Sequence, residues 1–302
     1  MFEIFSQTDN KTICASPEST ILEATLNAKI NHTYVCGGNA RCTTCRVHIT
    51  DGLRNCRRRN EKEQSLAEKL GFPPNIRLAC QTKIKGNITI RRPVVDKLDI
   101  EIVLKQFGNA PSTKLGIEKD LAILFTDIIN YTEFAEAFPA YDVVHVLNRY
   151  YQTMNEIITQ HKGVISDVAG DGILALFGVI EDSKNPVLDA INAVRAMNAT
   201  LAQFNGYLDQ MYDWSFGIRA GINFGKVIIG NFDTGMIHKI SAIGDAVNLA
   251  SRIETANRDF GTQLLISQRA NNEIKGVVKT HRRYCATLKG KSGEYILYEV
   301  EI

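Results

Sequence analysis

The chain has 302 residues, of which 44% are hydrophobic and 23% charged, and this length suits two domains with ordinary cores instead of one small module. Its net charge is +2, but residues 1–95 hold 15 Lys and Arg against 8 Asp and Glu, and the remainder holds 20 against 25. No apolar run reaches membrane-spanning length, which predicts a soluble, cytoplasmic protein without a membrane partner.

The first motif is a set of four cysteines. Cys36, Cys42 and Cys45 have C-x5-C-x2-C spacing, and Cys80 follows after thirty-four intervening residues. Three thiolates on one loop surround a small inorganic cluster only where the backbone curls tightly, and the two glycines after Cys36 permit such a turn. The spacing therefore favours a 2Fe-2S cluster.

A structural zinc site and disulfides are the alternatives. Zinc sites usually contain two C-x2-C pairs, whereas only Cys42 and Cys45 form such a pair here. Disulfides are disfavoured because no signal peptide precedes the motif and an oxidising compartment is not indicated. The remaining cysteines are predicted to be buried or idle thiols, namely Cys14, Cys56 and Cys285.

From about Phe2 to Pro93 the sequence resembles a 2Fe-2S ferredoxin domain. Besides the cysteine loop, the resemblance includes the run Ser19–Leu26 and the segment Arg77–Gln81, which matches the fourth-ligand segment of that family. It implies a compact β-grasp domain over residues 1–95. The implied cluster ligands are Cys36, Cys42, Cys45 and Cys80.

A basic run, Arg57–Arg59, is the only candidate for a nucleic-acid surface. It lies next to acidic residues and has no aromatic side chains between its charges, so it predicts a solvated face and no nucleic-acid partner.

Residues 96–118 are predicted to be a linker with a short helix. Its apolar stripe has i, i+3, i+4, i+7 spacing and ends where glycine and proline stop the helix. The stripe would pack either on its own domains or on the same helix of a second chain. Its members are Ile100, Val103, Leu104 and Phe107.

The second half alternates strands and helices, and two aspartates lie at predicted strand ends. Asp127 follows the buried run Leu121–Phe125, and Asp171 lies in a glycine turn between two apolar strands. Each alone is an ordinary turn residue. Side by side, two carboxylates repel each other unless divalent cations lie between them, and Mg2+ takes such ligands together with substrate phosphates.

A further predicted helix begins near Asp245. Asn248 and Arg252 are four residues apart on it, which places an amide and a guanidinium on one face. Such a pair suits a sugar and the phosphate charge that grows in a transition state, and the alternative is a solvent-facing helix.

Together these segments resemble a class III nucleotidyl cyclase catalytic domain, predicted over residues 119–302. The motifs that carry the resemblance are Leu124–Ile128, Gly170–Gly172, Gly217–Ile222 and Ile243–Arg252. The resemblance implies an α+β chain, in which the β-grasp domain precedes an α/β domain with a ferredoxin-like βαββαβ core. It also implies a homodimer, because active sites of this family form between two catalytic domains.

The resemblance also implies roles for individual residues. Asp127 and Asp171 would hold two Mg2+ (or Mn2+) ions with help from the Ile128 carbonyl, Asn248 would orient the ribose, and Arg252 would stabilise the transition state. Arg219 and Lys289 would meet the triphosphate.

One departure concerns the base. The family's usual adenine-reading lysine is replaced by Asp167, and its partner position is Ser241. Asp167 would accept from adenine N6 while Ser241 donates to N1, or Asp167 would accept from guanine N1 and N2. We expect ATP, with GTP as the alternative.

The expected function is a redox-sensing adenylate cyclase that converts ATP to 3',5'-cyclic AMP and pyrophosphate, with an unknown electron donor or acceptor. A catalytically silent, redox-sensing nucleotide-binding scaffold is one rival, which the intact candidate residues disfavour. An electron-transfer protein with an appended regulatory domain is another.

Overall fold

The computed structural model describes residues 1–93, 117–180, 183–231 and 240–302. The chain divides into two compact units, Met1–Leu115 and Gly116–Ile302. The predicted apolar stripe of the linker, from Ile100 to Phe107, lies outside the described residues.

In its described residues, the first unit contains a five-stranded mixed sheet and two α-helices. The sheet order is β2-β1-β5-β3-β4, with β1 and β5 parallel and the other neighbours antiparallel. A single turn of 3-10 helix, Leu53–Asn55, follows β3. This is the β-grasp arrangement that the sequence predicted. Its elements are β1 (Phe2–Ser6), β2 (Lys11–Ala15), α1 (Ile21–Asn27), β3 (Arg46–Asp51), α2 (Glu61–Leu70), β4 (Ile76–Leu78) and β5 (Ile88–Arg91).

Local sequence signals set the ends of both helices. Thr20 caps α1: its hydroxyl accepts from the Glu23 N–H at 3.2 Å, and the Glu23 carboxylate accepts from the Thr20 N–H at 2.7 Å. Asn60 caps α2, and that helix ends at Gly71, whose φ of 65° belongs to the left-handed region.

The second unit is built on an eight-stranded sheet. The order is β12-β13-β11-β9-β6-β8-β7, and β10 pairs with β9. The elements are β6 (Ile117–Ile129), α3 (Tyr131–Ala137), α4 (Ala140–Gln160), β7 (Gly163–Ala169), β8 (Gly172–Phe177), α5 (Pro186–Tyr212), β9 (Gly217–Asn231), β10 (Ile240–Ile243), α6 (Asp245–Phe260), β11 (Leu264–Ser267), α7 (Gln268–Glu273), β12 (Thr280–Thr287) and β13 (Glu294–Val300).

The predicted βαββαβ core is present in this unit. The strands β6, β7, β8 and β9, taken in chain order, lie in the spatial order fourth, first, third, second, and all adjacent pairs are antiparallel. The helices α4 and α5 connect the first strand to the second and the third to the fourth.

Helices cover both faces of this sheet. Alternate residues of β6 point to opposite faces: Leu124 joins the core under α4 and α5, whereas Leu121 and Ile123 pack with Ala250 of α6. The contact of α6 with β9 is close, since a Cβ on Gly221 would lie 2.2 Å from the Glu254 backbone nitrogen. Only glycine fits at that crossing.

Among the described residues, no helix is both long and apolar enough to cross a bilayer.

Candidate active site and cluster-binding loop

The cysteine loop connects α1 to β3, and its backbone turns where the glycines lie. Gly37 and Gly38 have φ values of +68° and +84°, which L side chains rarely adopt. Cys45 is fully buried at the end of this loop, and its carbonyl accepts from the Ala79 N–H at 3.1 Å. That bond joins the loop to the segment that carries Cys80.

The four thiols of this motif form two pairs. Cys45 Sγ and Cys80 Sγ lie 3.4 Å apart, and Cys42 is the neighbouring thiol that helps to lower the pKa of Cys36. A single zinc ion requires four ligands around one centre, whereas a 2Fe-2S rhomb takes two thiolates at each iron. The arrangement therefore fits the binuclear cluster better than zinc.

Gln81 connects the fourth cysteine to the loop. Its amide donates to Cys80 Sγ at 3.3 Å and to the Gly38 carbonyl at 2.7 Å, while its oxygen accepts from Asn60 at 2.9 Å. The hydrogen bond from Cys45, with a smaller contribution from Gln81, lowers the pKa of the Cys80 thiol to about 6 against the effect of burial. A thiolate, the form that binds iron, is thus favoured at Cys80.

A buried ion pair between Glu63 and Arg77 stabilises the segment that carries Cys80. Glu63 of α2 accepts from Arg77 Nε and Nη2 at 2.9 and 2.8 Å, and also from the Leu78 N–H at 2.8 Å. The same carboxylate accepts from the Thr82 hydroxyl at 3.3 Å. Glu63 thus holds residues on both sides of the fourth cysteine.

In the second unit, strand pairing brings the two candidate metal aspartates together. Asp127 lies near the end of β6, Asp171 lies in the turn between β7 and β8, and β6 pairs with β8 up to Thr126 and Ile173. The two carboxyl groups are within hydrogen-bonding distance. Asp171 Oδ2 also accepts from the Ile128 N–H at 3.3 Å.

The electrostatics of this aspartate pair fit a divalent cation. Burial and the neighbouring Asp127 raise the pKa of Asp171 to about 6, because one carboxylate disfavours ionisation of the other. A hard cation between the oxygens removes this repulsion, and two carboxylates leave positions for water or phosphate oxygens. The residues present therefore fit Mg2+ or Mn2+.

Three further charged side chains lie around Asp127. Arg219 is directly opposite it across the β6–β9 ladder, and the Arg258 guanidinium of α6 donates to its carboxylate at 2.6 Å. Glu254, also on α6, is buried; burial and the charge of Asp127 raise its pKa to about 7, opposed by Arg258. The inner face of α6 thus belongs to the same site as the metal aspartates.

Asn248 and Arg252 lie on the other side of α6. The buried residues of this helix are Ala250, Ile253, Glu254, Ala256 and Asn257. The side chains of Asn248 and Arg252 are exposed and, within the described ranges, make no hydrogen bond to another residue. One chain therefore brings Asp127, Asp171 and Arg219 together and presents the other two outward.

The two candidate base-reading residues lie on β7 and β10, which are not paired in the sheet but are joined by a side-chain hydrogen bond. The Ser166 hydroxyl donates to the Ile240 carbonyl at 2.9 Å, which joins β7 to β10 one residue before Asp167 and Ser241. Asp167 follows a β-bulge and accepts from the Val168 N–H at 2.8 Å. The fold thus brings these segments together.

Two lysines of the β12–β13 connection differ in burial and contacts, and the predicted triphosphate contact of Lys289 stays a prediction. Lys289 is exposed, whereas the Lys291 ammonium is largely buried and pairs with the carboxylate of Asp245 at the start of α6. The sequence analysis did not identify Lys291, Glu254 or Arg258. One signal for Glu254 was available, since it lies four residues after Ala250 on the apolar stripe of the helix.

Comparison with known proteins follows this division of the chain. Residues 116–301 match the family model of the adenylate and guanylate cyclase catalytic domain, and residues 4–85 match that of the 2Fe-2S iron-sulfur cluster binding domain.

Individual relatives match the second unit. Adenylate cyclase 1 of Rhizobium meliloti is 30% identical over 188 residues, which are 60% of this chain and 27% of that protein. The crystal structure of the guanylyl cyclase Cya2 has a TM-score of 0.57 at 28% identity, covering 61% of this chain and 93% of that one. The adenylyl cyclase CyaB from P. aeruginosa has a TM-score of 0.56 at 28% identity, covering 62% and 95%.

The match to the Rhizobium protein covers little more than a quarter of its length, so the similarity concerns the catalytic domain. The cyclase family model covers more than half of the present chain. The chain therefore belongs to the adenylate and guanylate cyclase family, and a 2Fe-2S cluster binding domain precedes its catalytic domain.

Proposed function

We propose that this protein is a homodimeric adenylate cyclase that converts ATP to 3',5'-cyclic AMP and pyrophosphate, and that its 2Fe-2S cluster regulates this activity. The observation that carries the proposal is the division of candidate catalytic residues between the two sides of α6. Asp127 and Asp171 lie under the inner side, whereas Asn248 and Arg252 are exposed on the outer side.

This division favours two chains for each active site. Exposed Asn248 and Arg252 do not reach the aspartates of their own chain in the described structure, yet ribose orientation and metal binding serve the same substrate. A second copy related by two-fold symmetry would supply its own outer face of α6 to these aspartates. The dimer would then contain two equivalent composite sites.

The reaction assigns a task to each residue of such a site. The ribose 3'-oxygen forms a bond to the α-phosphorus, its proton is lost, and the bond to the β-phosphate oxygen breaks to release pyrophosphate. Metal ions held by Asp127 and Asp171, with the Ile128 carbonyl, would supply Lewis-acid stabilisation of phosphate charge. Asn248 orients the ribose, and Arg252 donates to the oxygens on which charge accumulates. Arg219 and Lys289 bind the triphosphate.

ATP is the proposed substrate, with Asp167 accepting from adenine N6 and Ser241 donating to N1. The hydrogen bond between Ser166 and Ile240, the residues that precede them, supports their action as a pair. GTP is the second candidate, because an Asp at 167 would also accept from guanine N1 and N2. The solved relatives include both a guanylyl and an adenylyl cyclase, so similarity does not decide between the two bases.

The experiment that tests this function is incubation of the purified full chain with ATP and GTP separately, with Mg2+ or Mn2+, and identification of any cyclic product by mass spectrometry. Cyclic AMP formation above cyclic GMP formation supports the proposal. Preferential formation of cyclic GMP would make it a guanylate cyclase, and the absence of either product would favour the nucleotide-binding scaffold.

A separate substitution tests whether Asp167 recognises the base. Asp167→Lys should lower ATP turnover if Asp167 and Ser241 already form an adenine-reading pair, and should raise the ATP to GTP ratio if the wild type prefers GTP. An unchanged ratio would exclude residue 167 from base recognition.

A further inference from the structure

The metal site of the catalytic domain contains an ion pair that the proposed reaction does not use. Arg258 donates to Asp127 Oδ2 at 2.6 Å, and the guanidinium side chain is 58% exposed whereas the carboxylate is 19% exposed. The bond therefore engages an oxygen of the carboxylate that is expected to bind Mg2+.

A cation and a guanidinium compete for such an oxygen. Each is positively charged, and each is attracted to the single negative charge of the Asp127 carboxylate. Because Arg258 is solvated on its outer side, moving it from Asp127 does not require unfolding of α6.

Glu254 offers Arg258 a second partner. It precedes Arg258 by four residues on α6, a spacing at which helix side chains are neighbours, with Cβ atoms about 5–6 Å apart. Its Oε2 accepts from the Thr255 hydroxyl at 3.3 Å, whereas its Oε1 is buried and has no hydrogen-bond partner within the described residues. Glu254 is only 9% exposed, so an unpaired oxygen there is costly.

We propose that Arg258 is a displaceable counter-ion of Asp127: it neutralises this carboxylate in the metal-free protein and moves to Glu254 when a divalent cation binds. The inference rests on the proposed metal site. It makes Arg258 and Glu254 positioning residues, which set the metal concentration that the enzyme requires without touching substrate.

The test is direct binding of Mn2+ to the metal-free full chain without nucleotide, measured from the EPR signal of free Mn2+. Arg258→Gln should tighten binding by about threefold to fivefold, the range that corresponds to loss of a partly exposed competing ion pair. Glu254→Gln should weaken it, because Arg258 then lacks its second partner. In the Arg258→Gln background, Glu254→Gln should have a much smaller effect.

The matched control is Arg269→Gln. Arg269 pairs at 3.4 Å with Asp120, which lies on β6 as Asp127 does. Its side chain is 63% exposed, close to the exposure of Arg258. This variant should bind Mn2+ as the wild type does.

Three results would overturn the inference. One is unchanged Mn2+ affinity in Arg258→Gln, another is an equal gain in Arg269→Gln, and the third is strict additivity of the Arg258 and Glu254 substitutions, which would indicate that Glu254 acts on the metal directly. Asp127→Ala distinguishes failure of the proposed metal site from failure of the proposed role of Arg258. If the wild type binds Mn2+ no better than Asp127→Ala, the proposed metal site itself is wrong and the inference is lost with it.

Discussion

A single amide group at Gln81 contacts both parts of the cluster-binding motif. Its N–H donates to Cys80 Sγ and to the Gly38 carbonyl. Hydrogen bonds to a ligand sulfur stabilise the reduced cluster, which carries one more negative charge than the oxidised form, and so raise the reduction potential. The hydrogen bond from Gln81 is therefore expected to raise the reduction potential of the cluster.

We therefore expect Gln81→Leu to have a lower reduction potential than the wild type, measured by dithionite titration of the visible spectrum. The control is Gln64→Leu, since Gln64 is exposed on α2 and its amide donates to Glu68. Equal potentials in the wild type and Gln81→Leu, with the cluster intact in both, would show that this hydrogen bond does not influence the cluster.

At the scale of elements, α2 stabilises the cluster domain through Glu63 as much as through apolar contacts. The side chains of Glu63 and Arg77 are 1% and 5% exposed, and the same carboxylate holds the backbone next to Cys80. Removal of one partner of a buried pair leaves an uncompensated charge, which costs about 3–5 kcal/mol. Loss of this pair should first destabilise the segment that carries Cys80, the predicted fourth ligand.

Glu63→Ala should accordingly lose its visible cluster absorption at a lower urea concentration than the wild type, whereas Glu18→Ala should not. Glu18 also pairs with basic residues, Arg57 and Lys83, but is exposed. The double variant Glu63→Leu with Arg77→Leu should be less destabilised than Glu63→Ala, because neither charge remains unpaired. A double variant that is worse than the single one would refute the charge argument.

Local patterns predicted the elements that place the candidate residues. The buried run before Asp127, the glycine turn at Asp171 and the helix beginning near Asp245 are all present. The run Ser19–Leu26, which carries part of the ferredoxin resemblance, lies at the start of the helix Ile21–Asn27, which Thr20 caps.

Contacts between elements were less accessible from the sequence. Arg258 and Asp127 are separated by 131 positions, and no local periodicity encodes their pairing. It arises because α6 crosses β9 at Gly221, where the missing side chain lets the helix approach the sheet. The pairing of Lys291 with Asp245 likewise depends on how the β12–β13 connection folds back onto α6.

In the proposed dimer, each active site takes its metal aspartates from one chain and Asn248 and Arg252 from the other, which a complementation experiment can test. Arg252→Ala should be nearly inactive, since loss of one transition-state donor costs about 3 kcal/mol, and Asp127→Ala should be nearly inactive because its site loses a metal ligand. A heterodimer of the two variants should regain activity, because one of its two composite sites contains neither substitution. Coexpression with different affinity tags isolates that heterodimer for assay.

The matched control pairs Asp127→Ala with Asp171→Ala. Both substitutions affect the same side of a composite site, so this heterodimer has no intact site and should stay inactive. Failure of the first heterodimer to exceed the second would contradict the two-chain active site.

The proposed regulation requires a coupling between cluster and catalysis. Reduction would add one negative charge to a partly buried centre, and this charge would alter hydrogen bonding around Cys36–Cys45 and bias a two-state dimer whose composite sites depend on the relative rotation of the chains. We expect cyclase activity to differ several-fold between dithionite-reduced and oxidised protein. Val103→Asp, in the predicted linker stripe, should diminish this difference more than it diminishes cluster content.

A Cys45→Ser variant, which lacks a buried predicted ligand, provides the control, because dithionite should leave its activity unchanged. Equal activity in both redox states of the wild type, with reduction verified by the visible spectrum, would make the cluster domain a stability element and not a sensor.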